Sequence, residues 1–314
     1  MIRERFLERP DIQGFVEWLT TDLESRIFHL KLPSTRFVRG GLDIRLQGIA
    51  KAQENYQWEG DWTSVSAKLL TLRTDLRQAA GNGGTQAATY DACRAILKWG
   101  NVENKWSVDF LEDLRDREDL VGYLNRMKPL LALNGTQSIC DLNPKSVLKF
   151  NSGLTKIHAL MDTTGSPIYD GRVGAAAAML YHLYRASHQA KGAANHDQFG
   201  WGEGQSYTLR DPKYLKYLGT PELKTKDGDI WAQRQLKLGW IIQAVLTMNK
   251  GLFPGLPMAD RCHALEAGLF MVGYDLRAVI NGWHIPDPPD LVKKQLRAKA
   301  HAAAWRKRKA SAPA

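Results

Sequence analysis

Long apolar runs are absent from the sequence, and no stretch approaches the roughly 18–20 uninterrupted residues that a membrane-spanning helix needs. The opening residues, MIRERFLERP, lack the apolar segment of a secretory signal. Internal repeats and long low-complexity linkers are also missing. These absences argue against a membrane or secreted protein, and we expect a protein that stays in the cytoplasm.

Cysteine is scarce, and the three that occur (Cys93, Cys140 and Cys262) are far apart and in no metal-ligand spacing. An odd number at such distances argues against a disulfide framework and against a zinc or iron–sulfur site built on cysteine. We expect buried, reduced thiols. Nothing in the sequence implies a metal or another cofactor.

Acidic residues are missing from positions 291–314, where eight lysines and arginines occur. Because the formal net charge of the chain is +10, subtracting those eight leaves only +2 for the first 290 residues. A basic segment of this kind suits a polyanion, since each phosphate contact releases condensed counterions. A solvated terminus without a partner explains the same composition, so both interpretations stay open.

Helical periodicity dominates the chain after residue 60. It predicts helices over 61–80, 85–99, 107–127, 171–188, 229–249 and 257–281. Earlier, residues 26–49 alternate in places and predict a short ribbon or an irregular packing segment. Residues 191–228 are rich in Gly, Asn, Asp and aromatics, and a loop this long is typically functional or disordered. The pattern predicts a mainly α fold packed around helices 171–188 and 257–281.

Residues 143–161 are interpreted as two short helices joined by a turn at 151–153, where Gly153 is free to adopt a positive φ. The backbone N–H groups that start the second helix would be unpaired, and such groups commonly bind a phosphate. Thr155 and Lys156 stand beside them. A plain helix–turn–helix corner with a solvated lysine explains this local pattern on its own.

Asp170 lies just before the predicted helix 171–188, in the segment SPIYDGRV. An aspartate there acts as an N-cap worth about 1 kcal/mol, which is sufficient to explain it. The same placement suits catalysis, because a carboxylate can offset the oxocarbenium charge that develops when a glycosidic bond breaks.

Together these segments resemble the helix-hairpin-helix DNA glycosylase superfamily, and within it the bacterial 8-oxoguanine-DNA-glycosylase-like branch. A glycine-containing hairpin with a following lysine precedes an apolar-Tyr-Asp-x-Arg-Val helix start. The segment RCHALEAGLFMVG resembles a late core helix of that branch, with Arg261, Glu266 and Phe270 at its recurring positions. The hairpin, NSGLTK, lacks a second glycine, and only 14 positions separate Lys156 from Asp170, fewer than is usual.

The resemblance implies a mainly α helix-hairpin-helix glycosylase fold in which two helical subdomains flank a substrate cleft. Residues 1–84 would form an N-terminal helical or mixed subdomain. Residues 85–285 would form the glycosylase core, with 191–228 as an insertion loop, and 286–314 a basic C-terminal tail.

The resemblance also implies an activity, excision of a modified base from double-stranded DNA by a monomeric, nucleoid-associated bacterial enzyme that needs no cofactor. Asp170 would be the essential carboxylate. Lys156 would attack the sugar C1′ and give AP-lyase activity. The residues that would contact DNA are Asn151, Ser152, Gly153, Leu154 and Thr155. The candidates for the base pocket are Tyr169, Arg172, Trp240, Glu266 and Phe270.

Other aromatic residues are candidates to stack on an extruded base, although ordinary packing explains each of them. They are Trp99, Phe199, Trp201 and Tyr207. Glu266 falls on an apolar helix and needs a partner, which Arg172 or Arg261 could supply, and contact with a base edge is the alternative.

The excised base would be an oxidised purine such as 8-oxoguanine, in repair. The polar 191–228 loop suits instead a hypermodified phage base such as glucosylated hydroxymethylcytosine, in anti-phage defence. Two other hypotheses remain: a non-catalytic helix-hairpin-helix DNA-binding protein, and a helical protein without a nucleic-acid role in which Asp170 is only a cap.

Overall fold

The computed structural model describes residues 1–187, 198–202, 208–215, 222–224 and 226–310. In these ranges the protein is mainly helical, with two small two-stranded sheets. The helices are α1 (Arg3–Leu7), α2 (Pro10–Ser25), α3 (Ile49–Glu54), α4 (Trp62–Ala79), α5 (Gln86–Trp99), α6 (Lys105–Asp116), α7 (Leu120–Leu131), α8 (Leu154–Met161), α9 (Gly171–Ser187), α10 (Gly228–Met248), α11 (Met258–Val272), α12 (Arg277–Ile280) and α13 (Pro289–Ala310). The strands are β1 (Ile27–Leu32), β2 (Leu42–Gln47), β3 (Trp201–Gly202) and β4 (Glu222–Leu223). Over these same ranges, every helix is too short or too polar to cross a membrane.

The predicted ribbon is present as the antiparallel pair β1–β2, in which Ile27 lies opposite Gln47. Its connecting loop contains Gly40 and Gly41, both with positive φ. The sequence had not predicted α2. Pro10 occupies the first helical turn, where its missing N–H is harmless, and the apolar side chains that follow are buried at helical spacing.

Local capping decides where the middle helices begin. The predictions for α4 and α5 are confirmed: Asp61 accepts a hydrogen bond from the N–H of Ser64, and Thr85 accepts one from that of Ala88. The single helix predicted over 107–127 was wrong. Residues 105–131 form α6 and α7 instead, since Glu118 adopts a φ of 56° and interrupts the backbone between them.

Two further predictions of helix extent were wrong. The segment before Asn151 is a single turn, in which Asn143 Oδ1 accepts the N–H of Lys145 and so competes with helix propagation. The helix predicted over 257–281 is divided into α11 and α12. The interruption follows Gly273, whose α-carbon lies so close to α9 that a Cβ there would be 2.0 Å from the carbonyl oxygen of Arg172.

Helices α9 and α11 lie at the centre of the core, as predicted. All residues of α11 from Cys262 to Val272 are buried, and α11 packs against both α3 and α9. Strand β3 lies directly on α9, where Gly171 and Gly174 make room for its backbone. A Cβ on either glycine would lie 2.5 Å from a carbonyl oxygen, that of Gly202 or Gly200 respectively.

The cysteines are all free, and Cys93 and Cys262 are buried as predicted. The prediction was wrong for Cys140, which is exposed in a short 3-10 turn before α8. Much of the predicted 191–228 loop lies outside the described residues, as do Tyr207 and the predicted end of α9 at His188.

Candidate active site

A cleft of about 730 Å³ opens where the ribbon loop, the end of α5 and the starts of α8 and α9 meet α11. Its charged lining residues include Lys156, Asp170, Arg172, Arg210 and Glu266. Its aromatic lining residues are Phe37, Tyr56, Trp58, Trp99, Phe270 and Tyr274. The cleft therefore combines flat aromatic side chains with a cluster of ionisable groups. We call the cluster of these five charged residues the cleft floor.

Asp170 caps α9 with one carboxylate oxygen and faces the cleft cations with the other. Its Oδ1 accepts hydrogen bonds from the N–H groups of Arg172 and Val173, at 2.8 and 3.1 Å. Its Oδ2 lies 3.7 Å from Lys156 Nζ and 3.6 Å from Arg172 Nη1. The capping role and a chemical role are thus compatible, because they use different atoms of one side chain.

Lys156 is brought to Asp170 by the first turn of α8. Its side chain is 7% exposed, and its Nζ donates a hydrogen bond to the carbonyl oxygen of Ser152 at 2.9 Å. Burial lowers the pKa of Lys156 below its ordinary value, and Arg172 acts in the same direction, while Asp170 and Glu266 oppose the shift. The interpretation of this segment as a plain helix–turn–helix corner requires a solvated lysine, whereas Lys156 is buried.

Asp170 remains ionised in spite of its burial. Burial alone would raise the pKa of Asp170, but Lys156, Arg172, the N–H of Val173 and Arg210 together lower it below its ordinary value. A carboxylate anion is therefore fixed at the cleft floor at neutral pH.

Arg172 lies against three aromatic rings. Its Cζ is 4.9 Å from the ring centre of Trp58, 4.8 Å from that of Phe270 and 4.4 Å from that of Tyr274. Trp58 in turn stacks on Phe37, with centroids 4.0 Å apart and planes only 4° from parallel. These contacts fix the guanidinium as part of an aromatic wall.

Glu266 has neither of the partners predicted for it. Arg261 donates to the backbone carbonyls of Leu246, Asn249 and Leu252, and Arg172 is paired with Asp170. Glu266 Oε2 instead accepts the N–H of Ile168 at 3.4 Å.

Glu266 is consequently a neutral acid over most of the physiological range. Burial, followed by the charge of Asp170, raises the pKa of Glu266 to about 8. His263 Nδ1 lies 3.7 Å from its Oε2, but burial lowers the pKa of His263 to about 4, so this contact is not an ion pair at neutral pH. A protonated carboxyl can donate a hydrogen bond into the cleft.

The N–H groups at the start of α8 are not unpaired as expected, because Asn151 and the backbone of the turn satisfy them. Asn151 Oδ1 accepts from Gly153 and Leu154, at 2.8 and 2.9 Å. The backbone oxygen of Asn151 accepts from Thr155, and that of Gly153 from Lys156, both at 3.0 Å. Gly153 has a φ of −86°, so the positive φ expected there is not used.

The five predicted DNA-contacting residues differ in accessibility. Ser152 lines the cleft and is partly exposed, whereas Asn151, Gly153, Leu154 and Thr155 are buried. Thr155 is committed internally: its Oγ1 donates to Gln235 Oε1 at 2.5 Å and accepts the N–H of Tyr169 at 2.8 Å.

The predicted base-pocket residues divide into two groups. Arg172, Glu266 and Phe270 line the cleft. Tyr169 and Trp240 do not belong to its lining, because both are fully buried in the core. The Tyr169 hydroxyl donates to the carbonyl of Gly200 at 2.7 Å, and Trp240 packs on Phe6 with ring centroids 5.8 Å apart.

Among the other aromatic candidates, Trp99 lines the cleft. Phe199 and Trp201 are buried, and Phe199 packs on Tyr181 with ring centroids 5.4 Å apart. Sequence reasoning missed Arg210 and Trp58. Arg210 lies in an aperiodic stretch that gives no local indication of burial.

Arg210 is a buried cation at the cleft floor. Burial, reinforced by the charge of Arg172, lowers the pKa of Arg210 to about 9, which still leaves the guanidinium charged at neutral pH.

Comparisons of the chain with protein-family models, with curated proteins and with solved structures found no match. The chemistry of this cleft is therefore what indicates the function.

Proposed function

We propose that this chain is a DNA N-glycosylase that extrudes a modified base from double-stranded DNA and cleaves its N-glycosidic bond in the cleft. The observation that carries the proposal is the division of roles within Asp170, whose Oδ1 caps α9 while its Oδ2 lies 3.7 Å from Lys156 Nζ. A fixed carboxylate of this kind suits the oxocarbenium charge that develops at the sugar C1′.

The walls of the cleft support the binding of a base. A base inside a duplex shields its sugar, so the nucleotide must rotate out and lose its stacking and pairing. Aromatic faces such as those of Trp58 and Phe270 replace part of that stacking. The volume of about 730 Å³ lies within the range of small-molecule sites, roughly 300–1,000 Å³. Glu266, as a neutral acid, would donate a hydrogen bond to an acceptor on the base edge.

Lys156 supplies the nucleophile in a bifunctional course. Its lowered pKa increases the fraction of neutral amine, whose lone pair attacks C1′. As the C–N bond to lysine forms, the C1′–N bond to the base breaks and its electron pair leaves with the base. The proton lost from the attacking nitrogen balances the charge of the departing base, and sugar ring opening then gives a Schiff base. In a monofunctional course, water attacks instead and Asp170 Oδ2 accepts its proton.

The test is a base-release assay with the full chain and its Asp170→Asn and Lys156→Gln variants. The substrates are duplexes containing 8-oxoguanine and DNA containing glucosylated hydroxymethylcytosine, which separate repair from anti-phage defence. Abasic sites are scored with and without alkaline cleavage, and borohydride traps any Schiff base. Lys128→Gln, a lysine on α7 that is not part of the cleft lining, is the matched control.

Base release that requires Asp170 is the expected result, and borohydride adducts that require Lys156 would show the bifunctional course. Intact substrates with salt-sensitive DNA binding would favour the non-catalytic hairpin protein. That alternative gains no support from the start of α8, where the N–H groups are internally bonded. Failure to bind DNA would overturn both.

A further inference from the structure

The floor of the cleft has more positive than negative charge. Lys156, Arg172 and Arg210 all lie around Asp170, and each of them contributes to its lowered pKa. Glu266 does not balance them, because it is largely protonated at neutral pH. Asp275 is another carboxylate whose charge acts on the pKa of Arg210. It is already paired with the guanidinium of Arg277 at 2.6 Å.

Of the three cations around Asp170, Lys156 and Arg172 are paired with it, whereas Arg210 has no partner among the described residues. It is 8% exposed and lines the cleft, yet it has no hydrogen bond or ion pair to any residue that the structure describes. Its Nε is fully buried and unbonded, and the Nε of Arg172 is in the same state. Buried charges in proteins are normally paired, because desolvation penalises an isolated ion. An arginine in this state is available to bind an anionic ligand that enters the cleft.

The missing side chain of Gly171 leaves room for this guanidinium at the cleft. Arg210 Nη1 lies 3.4 Å from the position that a Cβ on Gly171 would occupy, directly beside the N-terminus of α9. A guanidinium presents a planar fork of donors that matches the oxygens of a phosphate or a carboxylate. The carbonyl oxygens of a neutral base such as 8-oxoguanine can accept hydrogen bonds from this fork, but only an anion also pairs with its charge.

We propose that Arg210, assisted by Arg172, binds an anionic group of the substrate nucleotide at the cleft floor beside Asp170. The inference rests on the proposed function and extends it, because it assigns the cleft a second recognition element besides the base. Two sources share the required chemistry: the backbone phosphate next to the extruded nucleotide, and an acidic substituent on the base itself.

Binding measurements test this proposal without any need for base release. The variants are Arg210→Gln and Arg210→Lys, and the control is Arg117→Gln, which removes the same charge from an exposed arginine with a side-chain exposure of 57%. Inorganic phosphate is titrated into each protein while the melting temperature is followed. We expect the wild type and the control to be stabilised by phosphate. Arg210→Gln should bind it about 10- to 100-fold more weakly, as loss of a charged hydrogen bond predicts.

The unliganded proteins provide a second readout. Removing an unpaired buried cation relieves a desolvation penalty, so Arg210→Gln should melt at or above the wild-type temperature without phosphate. A residue that merely supports the fold would show the opposite, a lower melting temperature with unchanged phosphate affinity. If Arg210→Gln does not fold, Arg210→Lys keeps the charge without the planar fork and should weaken phosphate binding by a smaller factor.

Chemically altered duplexes distinguish the two sources. A methylphosphonate next to the target nucleotide removes one backbone charge. If the phosphate is the ligand, this change weakens wild-type binding as much as Arg210→Gln does, and it has no further effect on that variant. If the base is the ligand, 5-carboxycytosine binds the wild type more tightly than 5-methylcytosine does, and Arg210→Gln abolishes the preference.

Arg210→Gln that binds phosphate and both duplexes like the wild type would overturn the proposal. Absence of base release from every substrate, combined with Arg210-dependent phosphate binding, would refute the glycosylase activity and leave the anion site standing.

Discussion

The side chain of Lys156 passes directly over Gly100, at a distance that excludes any other residue there without rearrangement. A Cβ on Gly100 would lie 2.6 Å from Lys156 Cδ and 2.8 Å from its Cε. Gly100 ends α5 with a φ of −70°, which any residue can adopt, so its backbone does not require glycine. The glycine is required for space, and that space lets the lysine reach Asp170.

Gly100→Ala should therefore displace Lys156 from Asp170 with little effect on folding. We expect a loss of borohydride-trapped adducts of at least about tenfold, because misplacing a reacting group by an ångström strongly lowers the rate. Trapping yield and melting temperature are measured together. Gly60→Ala is the control, since its new Cβ would meet Ser64 Cβ at 3.3 Å, the nearest contact, and would not meet the lysine. Full trapping by Gly100→Ala would show that Lys156 is not held by this contact.

Asparagine and alanine at position 170 should separate the capping role from the chemical role. Asp170→Asn keeps an acceptor for the N–H groups of Arg172 and Val173, whereas Asp170→Ala loses the cap. We expect urea denaturation to show Asp170→Ala less stable than Asp170→Asn by about 1 kcal/mol. Base release should fall in both, by on the order of 100- to 1,000-fold. If Asp170→Asn released bases at the wild-type rate, Asp170 would be only a cap.

Glu266→Gln should change how stability depends on pH. The pKa of Glu266 is raised by burial and by Asp170 to about 8 in the folded protein, against an ordinary value of 4.5. The folded state therefore retains a proton that the unfolded state releases, so the stability from this group is complete below pH 4.5 and is lost as pH rises through 8.

Glutamine does not titrate, so the melting temperature of Glu266→Gln relative to wild type should rise steadily across that interval. The comparison is made by calorimetry at a series of pH values, with Glu8→Gln on an exposed side chain as the control. If the difference in melting temperature between Glu266→Gln and the wild type stayed constant with pH, Glu266 would be ionised in the folded protein.

His158→Phe should make the protein more resistant to acid. His158 is 3% exposed and stacks on Phe150 with ring planes 6° apart, and burial lowers the pKa of His158 from 6.5 to about 3. The unfolded chain takes up a proton below pH 6.5 that the folded protein refuses until about pH 3, so stability is lost as pH falls through this range.

Phenylalanine preserves the stacked ring and removes the titration. The variant should therefore retain more of its neutral-pH melting temperature in acid than the wild type does. His284→Phe, at an exposed position, should follow the wild-type curve. Identical acid sensitivity in all three proteins would contradict the placement of His158 as a buried neutral imidazole.

Local signals in the sequence were sufficient where one residue determines the outcome. Asp61 and Thr85 mark the starts of α4 and α5, and Asp170 marks the start of α9, because an N-cap acts within its own turn. The burial of α11 also followed from its composition. Arg172, Glu266 and Phe270 were placed in the cleft by a resemblance rather than by periodicity.

The remaining features depend on partners distant in the chain. Glu266 was expected to pair with an arginine, but Arg261 is held by carbonyls at the end of α10 and in the loop that follows it, which no helical pattern reveals. Thr155 is buried through Gln235, which is 80 positions away. Asn151 is different: an asparagine side chain in a turn commonly accepts the N–H two residues further on, so its bond to Gly153 was predictable.

The close approach of β3 to α9 affects how depleted positions in a mutational scan of this protein are interpreted. Gly171, Gly174 and Gly202 touch backbone or a tryptophan ring at distances that admit no side chain: a Cβ on Gly202 would lie 2.6 Å from Trp231 Cη2. In a saturation library selected for activity, these positions should be as depleted as Asp170 itself. Depletion at these glycines would report the close spacing of α9 and β3 and not a role in the reaction. At Gly202, where the contact is a side chain, rescue by a smaller residue in place of Trp231 would show the difference.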